Sequence, residues 1–216
     1  MADRAAIRTW VRNQTLVLDM DFSDVDVNAI LNQGIQEVAA RQAWPFLQAS
    51  TTFQTVADQV PYAMPADFAR LEAMYFEDGV VLAETLRRQA VIDHAGSEAA
   101  QPFEYYFWEE QFNLAPQPSV GSLTVYVDYQ KSPTLFDDDA DTPEWDEAFH
   151  MVLADYCAAR IWEREEDLEK SSFHLNWFID GVTRMAQFYG NRGLDGPMIV
   201  GGERIISRYP WSWQRG

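Results

Sequence analysis

Hydrophobic positions near the two ends of the chain repeat every three to four residues, which predicts helices there. The first helix is predicted over residues 2–18 and the second after Ser23, a residue type favoured as an N-cap. Trp44-Pro45 ends the second helix, because the residue before a proline is pushed out of the α region. Two more helices are predicted in the last third, one beginning at Glu144 and one over residues 168–189. Gly190 is the expected C′ stop of the last helix.

In the middle of the chain the hydrophobic positions alternate, which is typical of half-buried strands. Asp78-Gly79 and Glu109-Glu110-Gln111 are the predicted turns, a short helix is predicted over residues 86–94, and Pro116, Pro118 and Gly121 interrupt the last hairpin. The predicted strands are residues 50–55, 62–64, 70–76, 80–82, 103–108, 112–114 and 122–129.

The order of these elements predicts an α+β fold, in which an antiparallel helical bundle carries an inserted antiparallel β unit and an extended C-terminal tail. We expect residues 1–48 to supply the N-terminal helices and residues 49–136 the inserted β-rich domain. Residues 137–190 would complete the bundle with a helix pair, and residues 191–216 would form the tail. The chain of 216 residues is long enough to bury a large core.

Charge and cysteine content narrow the class of protein. The formal net charge of −18 argues against an ordinary nucleic-acid binder, which needs a basic surface to neutralise phosphates. The start of the chain lacks the apolar core of a signal peptide, and no apolar run reaches the length of a membrane span. The single cysteine, Cys157, falls in a helical pattern among Ala154, Ala158 and Ile161, where a small core residue is expected.

The sequence carries no strong catalytic or metal-binding motif. Asp137, Asp139 and Asp141 have the first spacings of a calcium loop, but Thr142 and Ala148 replace its glycine and its glutamate. The three histidines lie in different segments, and phosphate-binding and nucleophile-elbow motifs are absent from the sequence. We therefore expect no enzyme, no cofactor and no metal site.

The last residues of the chain, 190–216, are unusual for a terminus because they are apolar, aromatic and basic. Four arginines stand against one aspartate and one glutamate, and Gly201-Gly202 suits the turn of a small hairpin over residues 198–206. A lone hairpin is marginal in water, so the tail needs a surface to lie on. That surface is either its own domain or a partner protein.

Several segments in the same order resemble the head-to-tail adaptor (connector) proteins of tailed bacteriophages. The matching positions are Trp44-Pro45-Phe46, the segment YAMPADFAR at 62–70, the segment YYFW at 105–108, and the acidic entry to a helix at 137–149. Each motif is structural, and the resemblance covers residues 25–190.

The resemblance implies a virion protein made in the bacterial host cytoplasm and located in the neck between head and tail. It would form a ring with itself, twelvefold in this family, dock on the portal protein, contact a downstream tail or neck protein and leave a channel for the passing genomic DNA. No membrane partner is expected. Portal docking is predicted for the tail, at Ile199, Arg204, Ile205, Ile206, Arg208, Tyr209, Trp211 and Trp213.

Arg4, Arg8 and Arg12 form a ridge along one face of the first predicted helix. By itself such a ridge is a solvated or salt-bridged face, but in a ring we expect it to meet acidic groups of the neighbouring copy. A carbohydrate- or peptide-binding module is the alternative function. It would use the aromatic side chains of residues 105–108 and Phe112.

Overall fold

The computed structural model describes residues 2–15, 22–94 and 99–192, of which residues 191 and 192 are described by their backbone alone. It confirms the α+β class. The helices are α1 (Arg4–Thr15), α2 (Asp24–Arg41), α3 (Arg87–Asp93), α4 (Val152–Arg164) and α5 (Leu168–Arg192), with short 3₁₀ turns at Pro45–Leu47 and Glu147–Phe149. The strands are β1 (Gln48–Gln54), β2 (Pro61–Ala63), β3 (Phe68–Phe76), β4 (Ala83–Glu84), β5 (Glu104–Trp108), β6 (Gln111–Ala115) and β7 (Thr124–Lys131).

Helix α2 begins where the sequence predicts it. The Ser23 side chain accepts a hydrogen bond from the Asp26 N–H, and the Asp26 carboxylate accepts one from the Ser23 N–H, which completes a capping box. The helix ends at Arg41, before Trp44, whose buried ring donates from Nε1 to the Val38 carbonyl at 2.7 Å. Pro45 then opens a 3₁₀ turn instead of extending the α-helix.

The start of α4 corrects the sequence prediction. The helix was expected to begin at Glu144 but begins at Val152. The Asp146 side chain accepts a hydrogen bond from the Ala148 N–H and so caps a separate 3₁₀ turn, while Trp145 Nε1 donates to the Phe149 carbonyl at 3.2 Å. These local hydrogen bonds hold residues 145–149 in tight turns, so the α-helix begins only after them.

Helix α5 also differs from its prediction, because it continues through Gly190 to Arg192. Gly190 lacks the positive φ of a C′ glycine, so it does not terminate the helix. Helices α4 and α5 run antiparallel, since Asp155 meets His174 while the earlier residue Val152 meets the later Gly181. A Cβ on Gly181 would lie 2.8 Å from Val152 Cγ2, so the glycine permits this close approach.

The strands form two sheets, and this corrects the prediction of a purely antiparallel unit. One sheet has the order β1-β7-β3 and is antiparallel. The other has the order β2-β6-β5-β4, in which β4 and β5 are parallel. Strands β6 and β7 lie in different sheets, so the predicted last hairpin does not form. The predicted strand at 80–82 is reduced to a single bridge between Val81 and Tyr75.

Both predicted turns are confirmed. Gly79 has a φ of 84° at the turn after β3, where the Asp78 side chain accepts from the Val80 N–H. Glu109 and Glu110 both have positive φ, at 51° and 56°, and they join β5 directly to β6. Two successive positive φ angles are the signature of a primed hairpin turn, whose twist matches that of the strands.

Two hydrophobic clusters hold the described residues together. The larger contains residues from α1, α2, α4 and α5, and the smaller combines the inner faces of both sheets. Aromatic rings fill the smaller cluster, where Phe112 packs against Phe53, Phe68 and Phe107. The exact domain boundaries proposed from the sequence stay a prediction.

Candidate interaction surfaces

The arginine ridge of α1 is held by acidic groups of the same chain. Arg4 Nη2 lies 2.9 Å from Asp139 Oδ1, and Arg8 uses both terminal nitrogens, Nη1 and Nη2, on the two oxygens of Asp139 at 3.0 Å each. Arg12 Nη2 lies 2.6 Å from Asp24 Oδ1. The arginine side chains are only 11, 13 and 19% exposed, whereas both aspartates are 56% exposed.

These pairs change the charge presented by the ridge. Hydrogen bonds from Arg8 and then Arg4 hold the pKa of Asp139 below its ordinary value. A neighbouring molecule would therefore meet a partly neutralised ion-pair cluster instead of a bare basic ridge. The ring interface at Arg4, Arg8 and Arg12 stays a prediction.

The acidic link between β7 and α4 is folded on itself and tied to both N-terminal helices. Asp141 Oδ2 accepts the N–H groups of Asp137 and Asp138 at 2.7 and 2.8 Å, which lowers the pKa of Asp141. Asn32 on α2 forms two hydrogen bonds with the backbone of Phe136, accepting its N–H at 2.9 Å and donating to its carbonyl at 3.1 Å. The link is thus a structural joint between α1, α2 and the sheets.

The described residues contain no group of side chains arranged to hold a metal ion. No group of three or more His, Cys, Asp or Glu side chains within 2–15, 22–94 and 99–192 is arranged to hold a metal ion. The three histidines have separate partners. His94 lies 3.5 Å from Glu104, His174 lies 3.2 Å from Asp155, and His150 contacts two backbone carbonyls. Burial raises the pKa of Asp155, an effect opposed by its hydrogen bond to His174.

Cys157 lies in the helical core, as the sequence pattern predicts. It is fully buried, and desolvation raises the pKa of its thiol to about 12. A thiol with so little thiolate at neutral pH is a poor nucleophile.

One face of the aromatic strand proposed for sugar binding is turned toward the core. Tyr105 and Phe112 are buried in the smaller cluster, and Phe107 packs against it. Only Trp108 of the YYFW segment is substantially exposed, at 43%, and the guanidinium of Arg87 lies 3.5 Å from the centroid of its ring. This cation–π contact occupies a ring face that a sugar would need.

Two exposed hydrophobic surfaces were not predicted from the sequence. One surrounds the short helix α3, and the other lies on α5 around Phe173 and Trp177. In the sequence, the periodic pattern predicts that the apolar residues of these surfaces are buried in the core. Only the neighbouring elements show which helix faces remain uncovered. The predicted docking residues of the tail, from Ile199 to Trp213, lie outside the residues that the structure describes.

The segments that carry the resemblance have structural roles. Trp44 stacks on Phe46 at 5.4 Å between ring centroids, and Phe46 contacts Tyr189 near the end of α5. In the YAMPADFAR segment, the Tyr62 hydroxyl accepts the Val56 N–H at 3.0 Å, and Asp67 accepts a hydrogen bond from the Tyr129 hydroxyl at 2.9 Å. These contacts join the helical entry, the sheets and the last helix.

This order of structural motifs is consistent with the head-to-tail adaptor family of tailed phages. The sequence model of the SU10 adaptor protein family matches residues 4–200, and the chain belongs to that family. No curated protein matches the chain. No helix in the described part of the chain combines the length and apolar character needed to cross a membrane.

Proposed function

We propose that the protein is a structural, non-enzymatic head-to-tail adaptor located in the virion neck. In this role it forms a ring, twelvefold as the resemblance implies, that docks on the portal protein and joins it to a downstream tail or neck protein. The observation that carries the proposal is the family match, which extends over residues 4–200 and so covers the helices and both sheets. Sharing the scaffold of an adaptor family favours sharing its place in the particle.

The electrostatics support a role as a conduit. The chain has a net charge of −18, so a channel lined by copies of it would repel the phosphate backbone. Repulsion keeps DNA from adhering to the wall during packaging and ejection. A basic lining would instead hold the genome by counterion release.

Portal docking is assigned to the C-terminal tail in this proposal, through Ile199, Arg204, Ile205, Ile206, Arg208, Tyr209, Trp211 and Trp213. Tryptophan, tyrosine and arginine are the residue types that dominate interface hot spots. Arg4, Arg8 and Arg12 are proposed to contribute the outer edge of their ion-pair cluster to the ring contact. Surface pairs of this kind matter only when they are repeated around the ring.

The test is light scattering after size exclusion, on the full chain with and without the purified portal of the same phage. We expect the full chain to elute with the portal, and a variant that lacks residues 194–216 to remain separate. Thermal melting of the two chains serves as the control for folding. A full chain that ignores the portal, or a truncated chain that still binds it, would contradict the proposal.

A further inference from the structure

The helix α3 and the ends of β5 expose a hydrophobic strip, here called the α3 patch. It consists of Leu86, Arg88, Val91, Ile92, Phe103 and Trp108. Val91 and Ile92, in the second half of the helix, are 56 and 58% exposed. Ala90 alone of the helix residues is buried against the sheet. Large apolar side chains on the outer face of a short helix are typical of a surface that another molecule covers.

Contacts at both ends hold α3 in a fixed orientation along β5. Arg87 lies over the ring of Trp108 at one end. At the other end His94 approaches Glu104 and makes an edge-to-face contact with Phe103 at 5.5 Å. The α3 patch therefore lies on a helix of fixed orientation, so binding costs little conformational entropy.

Helix α5 exposes a second hydrophobic surface, here called the α5 patch, formed by Phe173, Asn176, Trp177 and Asp180. Phe173 and Trp177 are 58 and 48% exposed and contact one another at 6.1 Å between ring centroids. The four residues line a shallow groove of about 260 Å³. Aromatic pairs that flank a groove are frequent anchors of protein interfaces.

The two patches have opposite charge. Arg88 in the α3 patch has no carboxylate partner among the described residues. Beside the α5 patch, Glu165, Glu166 and Glu169 are exposed and likewise have no ion-pair partner in the described part of the chain. The positive Arg88 on an apolar strip and the glutamates beside an aromatic groove complement each other in charge. The two patches lie on different elements, since α3 packs on β5 and α5 packs on α4.

We propose that the α3 patch of one copy packs on the α5 patch of the next copy, so that the two surfaces form one repeated interface. A contact between two different surfaces of the same chain is heterologous, and a heterologous contact closes into a ring when its rotation permits. The inference rests on the proposed ring-forming function and adds this interface to the ring contact proposed for Arg4, Arg8 and Arg12. Ile92 would enter the groove beside the Phe173–Trp177 pair, while Arg88 would face the glutamates.

Disulfide trapping tests this contact on the full chain. One sample carries Gln89→Cys on α3, and the other carries Asn176→Cys in the groove. Both replaced residues are exposed, and both substitutions leave the apolar and charged side chains of the patches in place. The natural Cys157 is buried with a raised thiol pKa, so it does not compete in the native protein. After mild oxidation of the mixture, we expect a disulfide-linked heterodimer, and the double variant Gln89→Cys/Asn176→Cys should give a ladder of linked copies.

Thr52→Cys, on an exposed position of β1, is the matched control partner for Asn176→Cys. The Gln89–Asn176 pair should link in clear excess over this control. Arg88→Glu should lower the heterodimer yield by up to about fivefold, the equivalent of one exposed ion pair, and Glu166→Arg/Glu169→Arg on the other chain should restore it.

Yields equal to the control, or Gln89→Cys chains that link mainly to each other, would overturn the inference. Portal binding by the unmodified chain is read separately. Portal-bound rings without the disulfide would mean that the ring uses other surfaces, which leaves the adaptor function standing and removes this interface. Disulfide ladders without portal binding would support the interface and contradict the adaptor function.

Discussion

Arg8 and Asp139 form a two-pronged ion pair, in which two guanidinium nitrogens meet the two carboxylate oxygens at 3.0 Å each. The pair joins α1 to the acidic link, 131 residues further along the chain. Bidentate pairs between arginine and a carboxylate fix geometry as well as charge. The ridge thus has an internal task that is independent of any partner.

The first prediction is that Asp139→Asn lowers the thermal stability of the chain. The amide cannot accept hydrogen bonds from Arg4 and Arg8 as a charged carboxylate does, so α1 loses its anchor on the link. Asp138→Asn is the control. Asp138 takes part in the link through its backbone N–H and not through its side chain. Melting followed by circular dichroism should show a drop for the Asp139 variant alone. Equal melting temperatures for both variants would mean that the pair is energetically neutral.

The second prediction concerns acid stability. The folded protein lowers the pKa of Asp139 below 3.8, so its pair contributes stability that is present above about pH 4. That contribution is lost as the pH falls through the lowered folded pKa. Asp139→Asn should therefore lose less stability than the natural chain between about pH 5 and pH 3, as measured by urea unfolding midpoints. A larger loss in the variant would reverse the assigned sign.

The third prediction compares two glycines of the same helix. Gly181→Ala should destabilise the chain by about 1–3 kcal/mol, because overpacking forces neighbouring groups to shift. The clash is with Val152 on α4, at 2.8 Å from the added Cβ. Gly190→Ala should instead stabilise it by about 0.5 kcal/mol, since alanine costs less backbone entropy in a helix. No heavy atom lies within 4 Å of a Cβ added at Gly190. Denaturant unfolding of both variants measures the difference, and similar effects of the two changes would contradict the packing of α4 on α5.

The fourth prediction is that Cys157 resists thiol reagents in the native protein. The side chain is buried and its thiol pKa is raised to about 12, so almost no thiolate is present at neutral pH. Labelling with an aromatic disulfide reagent should be slow without denaturant and fast in concentrated urea, with a rate that follows the unfolding curve. Rapid labelling in buffer would show that α4 separates from its neighbours locally.

Much of the secondary structure follows from local sequence. Ser23 caps α2 because a hydroxyl can satisfy the free N–H groups of a first turn, and Gly79 occupies a turn that needs a positive φ. The alternating strands and the buried Cys157 follow from the same local periodicities. The family resemblance likewise rests on short ordered motifs, and the match over residues 4–200 confirms it.

Predictions from local sequence were wrong where the structure depends on side-chain contacts or strand pairing that hydrophobic periodicity does not show. Asp146 and Trp145 hold tight turns ahead of Val152, so helical periodicity alone placed the start of α4 too early. The division of the strands into two sheets depends on which strands pair, and β6 and β7 carry similar alternating patterns although they pair with different partners.

The α+β class, most of the helices and strands, the acidic character of the chain and the adaptor family could all be predicted from the sequence, because they depend on composition, period and short motifs. The packed fold was needed to show that Asp139 and Asp24 pair with the arginine ridge, that Tyr105 and Phe107 face the core, and that α3 and α5 leave apolar surfaces uncovered. The reason is physical: a helix or strand pattern shows which residues share a face, but burial and ion pairing are set by the elements that pack against that face from distant parts of the chain.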